Sequence, residues 1–93
     1  MLIVTRDVLN RSTIEVVASR FDGADTHYLF TRIFEREELG YGSNNLDVEG
    51  FILEWADTFL SKKTAYKLLV NVWNEEDNKV VNDFAIIIDK EGN

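Results

Sequence analysis

The chain has 93 residues, 45% of them hydrophobic, which is enough for one domain, 1–93, and excludes intrinsic disorder. It contains no Cys, so disulfides and cysteine-based zinc sites are excluded and the core must hold the fold unaided. Its formal charge of −7 argues against binding a phosphate backbone, which needs clustered Lys and Arg, and suits solubility or a basic protein partner.

Residues 2–8 read as a strand. The apolar run from Met1 to Val4 is shorter than the roughly 7–15 residues of a signal peptide, so a cytoplasmic location is expected. No stretch approaches the ~20 apolar residues of a membrane span, and no membrane partner is expected. Residues 13–21 carry two patterns. Ile14, Val17, Ala18 and Phe21 have helical spacing, and Ser12 with Glu15 matches a capping box. Thr13, Ile14, Val16 and Val17 are β-branched, and this favours a strand. Asp22-Gly23-Ala24-Asp25 then makes a hairpin turn. Residues 27–35 alternate, with Tyr28, Phe30 and Phe34 on one side, and form a further strand. Glu35 to Asn45 is a loop in which Gly40 and Gly42 supply flexibility.

The spacing predicts a helix over 46–62. Val48, Phe51, Ile52, Trp55, Phe59 and Leu60 make one apolar stripe, with Glu49, Glu54 and Asp57 off it. Asn44 or Asn45 caps the start, Asp47 lies in the first turn, and Lys62 and Lys63 close the far end. Tyr66, Leu68, Val70 and Val72 alternate, as do Phe84, Ile86 and Ile88. The polar run from Asn74 to Lys79 separates them, so 65–73 and 80–89 form a hairpin. There is no Pro, so turns fall to Gly, Asn and Asp.

The result is an α+β fold of order β-β-β-α-β-β: a mostly antiparallel sheet of about five strands with one amphipathic helix on one face. The covered face is expected to hold Tyr28, Phe30, Phe34, Tyr66, Leu68, Val70, Val72, Phe84, Ile86 and Ile88. The other holds Leu29, Ile33, Leu69, Trp73, Val81, Ala85 and Ile87. That second set is too apolar for a solvated face. Either the sheet curls on itself, or a second protein covers it, a homodimer being the commonest form, or the N-terminal segment and the 35–45 loop build a second small core beneath them. Trp73 is the natural anchor of such an interface.

Chemistry-bearing patterns are weak. His27, the only His, begins a strand beside Asp25 and reads as a surface residue. No Ser lies in a nucleophile elbow. Asp22 and Asp25 lack the remaining ligands of a calcium loop. Gly40-Tyr41-Gly42-Ser43 lacks the Lys and spacing of a phosphate loop, and Asp47 and Glu49 would repel an anion there. No catalytic residue, cofactor or metal is therefore assigned. Two acidic clusters remain: Glu35, Glu37 and Glu38, and Glu75, Glu76 and Asp77 at a hairpin tip. Such tips are ordinarily just solvated; with Glu49, Glu54 and Asp57 they could instead form one acidic patch facing a partner.

In size, acidity and want of a catalytic signature the chain is similar to compact acidic inhibitors, often phage-encoded, that block nucleic-acid-binding proteins of host defence. The similarity is one of composition and is carried by no motif. The expectation is a small protein-binding module, not an enzyme, acting through its acidic surface or through the apolar sheet face of Leu29, Ile33, Leu69, Trp73 and Ile87. The alternative is an assembly protein that forms a homo-oligomer through that face.

Overall fold

A computed structural model describes residues 3–4, 8, 11–22, 24–39, 45–76 and 78–89. The β-branched residues of the ambiguous segment decide its form: Ser12–Asp22 is a strand, β2. Ser12 does not cap a helix. Its hydroxyl donates to the Val8 carbonyl at 2.6 Å, and the residue is buried. β2 turns at Asp22↔Asp25 into β3, Asp25–Phe34. After the helix, β5 (Tyr66–Asn74) and β6 (Lys79–Ile88) make the expected second hairpin. Its turn holds Asn78 at φ 54°, a left-handed conformation that Asn tolerates.

The two hairpins join through β2 and β5, giving one antiparallel sheet of order β3-β2-β5-β6. The fold of the described residues is α+β, with a four-stranded sheet and the helix Val48–Phe59 packed nearby. The first strand does not extend that sheet as expected. β1 (Ile3–Val4) pairs instead with β4 (Leu46–Asp47), a separate two-residue ladder. Of the rest of the expected 2–8 strand, Val8 is helical and not extended, while residues 2 and 5–7, like Gly40, Gly42 and Asn44, lie outside the described residues.

The helix α1 spans Val48–Phe59, shorter at both ends than 46–62. Leu46 and Asp47 are taken by β4. Asp47, not Asn44 or Asn45, is the cap: its carboxylate accepts from the Gly50 N–H at 3.1 Å. At the other end Leu60 is already extended, so Lys62 and Lys63 lie beyond the helix. Among its described residues the 35–45 loop contains a 3-10 turn, Arg36–Leu39.

Gly50 is coupled to the cap. A Cβ there would stand 2.8 Å from Asp47 Oδ2. Ala ordinarily stabilises a helix interior by about 1 kcal/mol over Gly. Here Gly50→Ala is expected to be neutral or destabilising in the native chain and stabilising in an Asp47→Ala background. Asp47→Ala alone should cost about 1 kcal/mol. Thermal melts of the two single variants and the double variant read the coupling.

One core lies between helix and sheet. Ile14, Val16 and Ala18 of β2 and Leu68, Val70 and Val72 of β5 face it, fully buried, against Val48, Ile52 and Ala56 of α1. Phe34 meets Phe51 and Trp55 edge-on, with ring centroids 5.1 and 5.5 Å apart. Val4 and Leu39 close the same core. The N-terminal strand and the 35–39 turn therefore pack on the helix side and do not build a second core on the other face.

Two bulges correct the expected faces. Ala18 pairs with Phe30 but Ser19 with Tyr28, leaving Leu29 as the extra residue. Tyr28 thus moves to the face away from the helix, where it shares a hydrogen bond with Thr31 at 3.1 Å. Val72 pairs with Asn82 but Trp73 with Val80, so Val81 is extra, and it packs against the core. An inserted residue breaks the two-residue alternation on which the face assignment relied.

Candidate functional site

The face away from α1 is built in rows across the four strands. The middle row reads Thr31, Val17, Leu69, Ala85. Toward Trp73 the next row is Ile33, Glu15, Asn71, Asp83, followed by Thr13, Trp73, Val80. On the other side comes Tyr28, Ser19, Lys67, Ile87. Among the described residues nothing packs over these rows. Leu69 is 42% exposed, Ile87 50% and Trp73 36%.

The structure brings Ile33, Leu69, Trp73 and Ile87 to this one face, as the sequence suggested. Leu29 stands exposed at the bulge. The face is less uniformly apolar than the alternation implied. Asn71 Nδ2 donates to Glu15 Oε1 at 3.1 Å, and with Asp83 these residues form a polar row through the apolar set. The arrangement is an apolar surface with a few fixed polar groups.

The acidic residues gather mainly at one end. Glu35, Glu37 and Glu38 follow β3, Glu75 and Glu76 follow β5, and Glu49 opens α1, whose first turns pack on Phe34. Glu54 lies farther along the helix, Asp57 is at its far end, and Asp77 lies outside the described residues. Several are already paired: Glu76 with Arg11 at 3.4 Å, Glu38 with Arg32, and Asp57 with Lys62. Among the described residues no group of three or more His, Cys, Asp or Glu is placed to hold a metal. His27 is exposed on β3.

The Arg32–Glu38 pair gives a pH signature. The Arg32 guanidinium, and then the Glu35 N–H, hold the Glu38 carboxyl below the usual glutamate range. A depressed carboxyl contributes stability above the unfolded value of about 4.3, and that contribution fades as pH falls through the folded value. Glu38→Gln should therefore melt slightly lower than the native chain at neutral pH, and the gap should close in acid. The effect is small, because both side chains face solvent.

Sequence reasoning missed one apolar feature. Phe59, assigned to the buried stripe, is 72% exposed. Phe34 meets Phe51 and Trp55, and Phe30 meets Trp55, so Phe59 should meet the next covered-side residue of β3. The bulge has turned that residue, Tyr28, to the other face. Among the described rings Phe59 meets Trp55, at 6.4 Å between centroids. It rims an open groove of about 810 Å³ lined by Phe34, Phe51, Trp55, Arg32 and Glu38. A lost β3 register was not visible in the apolar spacing of the helix.

No protein-family model matches this chain, and searches of curated proteins and of solved structures return no match.

Proposed function

We propose that the chain is a protein-binding module whose contact surface is the open face of its sheet. The observation that supports this is the exposure of Leu69, Trp73 and Ile87 on one face, with nothing over them among the described residues. Monomeric domains seldom leave a broad apolar sheet surface wet, and such surfaces mark interaction sites. Leu69 holds the middle row, and Trp73, of a residue type enriched among interface anchors, lies in an end row beside Val80, beyond the polar row of Glu15, Asn71 and Asp83. A role as an inhibitor belongs to the same proposal and rests only on small size and net charge.

The acidic end is the weaker candidate, because Arg32 and Arg11 already satisfy two of its carboxylates. Salt separates the two surfaces. Binding through the sheet face should change little between low and high salt, whereas binding through exposed carboxylates weakens steeply. The test is capture with the native chain and with Trp73→Ala as baits, washed at two ionic strengths. A partner retained by Trp73→Ala and released by salt would move the function to the acidic end. The second reading, a homo-oligomer stacked through the same face, predicts a multimer in light scattering with no other protein present.

A further inference from the structure

We propose that two copies of this chain pair antiparallel along the outer edge of β6, about a two-fold axis at Ala85, to make one continuous eight-stranded sheet. The two edges of the sheet differ. β3 is blunted: it carries the Leu29 bulge, and the Arg32 guanidinium donates to the Ile33 carbonyl and closes on Glu38. β6 has β5 as its only neighbour among the described residues. Beyond the Val81 bulge it runs without interruption from Asn82 to Ile88. That run, Asn-Asp-Phe-Ala-Ile-Ile-Ile, has one charge and no Pro. It lacks the Lys, Pro and late bulges by which edges of monomers avoid pairing.

The register follows from the same residues. Pairing the whole regular run on itself centres on Ala85, because Asn82 then faces Ile88 of the second copy. A centre at Ile86 would set Asp83 opposite Asp89 twice, and like charges directly opposite are destabilising. A centre at Phe84 would run the ladder into the bulge. With the centre at Ala85, Phe84 faces Ile86 of the other copy on the helix side, an aromatic and β-branched pair made twice.

The open face supplies charge complementarity. Lys67 and Asp83 make no ion pair within the chain among the described residues. In the paired sheet the row Ser19, Lys67, Ile87 continues into Asp83 of the second copy. Lys67 and that Asp83 are then two strand spacings apart, about 10 Å between backbones, within the joint reach of their side chains. The apolar middle row also becomes continuous through Ala85 of both copies. The pairing does not depend on what the open face binds, so either idea can fail alone.

The chain has no Cys, so single cysteines read the geometry directly. Residues on the axis face each other at about 4.5–5.5 Å between Cα atoms, within disulfide range. Ala85→Cys should cross-link to a covalent dimer under mild oxidation. Leu69→Cys should not, being roughly 14 Å from its copy across three strand spacings; Ile33→Cys, on the far edge, should not either. Light scattering of the native chain should reach twice the chain mass as concentration rises, and Ala85→Lys, which sets two like charges on the axis, should stay at the monomer mass. A native chain that remains monomeric at high concentration overturns the proposal. So does cross-linking of Leu69→Cys as fast as Ala85→Cys, which would mean stacking through the face.

Discussion

Leu68→Ala is expected to cost about 3 kcal/mol or more, and Leu69→Ala, its immediate neighbour, less than about 1 kcal/mol. Both lie in β5 between the same two strands. Leu68 pairs with Ala18 and Ile86 and is fully buried beneath α1, whereas Leu69 pairs with Val17 and Ala85 on the open face. Truncating Leu68 removes its burial and leaves a cavity that the central strands cannot close. Truncating Leu69 removes a side chain that already touches water. In a domain of this size 3 kcal/mol corresponds to a fall in Tm of roughly 12–24 °C. Equal losses at the two positions would mean that both faces of the sheet are covered.

The second large effect is on binding. Leu69→Glu combined with Ile87→Glu should weaken the captured partner by at least about 30-fold, the loss expected when hot-spot contacts worth ~2 kcal/mol are removed. Folding should survive, since both side chains are exposed and neither belongs to the core. The matching control is Glu37→Lys with Glu75→Lys at the acidic end. Those changes should leave affinity within a few-fold. Titration by calorimetry, with circular dichroism as the check on folding, reads both. The opposite pattern would return the acidic end to first place.

Much of this fold was legible in the sequence, for identifiable reasons. The β-branched run in residues 13–17 outweighed its helical spacing, and the alternation in 66–72 and 84–88 marked the two strands of the second hairpin. The helix was plain in the stripe from Val48 to Trp55. Its ends were not, because an Asp can serve either as a cap or in the first turn, and only the β4 pairing decides between them. The bulges at Leu29 and Val81 left no local mark. Each is fixed by pairing with a strand distant in sequence, and each reversed one face assignment. That is also why Phe59 was counted with the core.

The candidate site was legible as a surplus: more apolar strand positions than one helix can cover. Its polar row was less so, because Glu15, Asn71 and Asp83 come from three strands and meet only when the sheet is assembled. The acidic residues were easy to find. The pairing of Glu76 with Arg11 and of Glu38 with Arg32 depended on contacts that spacing does not reveal.

The most direct measurement is solvent accessibility of methyl groups in the monomeric chain at low concentration, read by NMR line broadening from a soluble paramagnetic probe. Leu69, Ile33 and Ile87 should broaden strongly, while Leu68, Ile52 and Ile14 stay sharp. Equal protection of Leu69 and Leu68 in the free monomer would contradict the account, since the open face would then be sheltered by the chain itself.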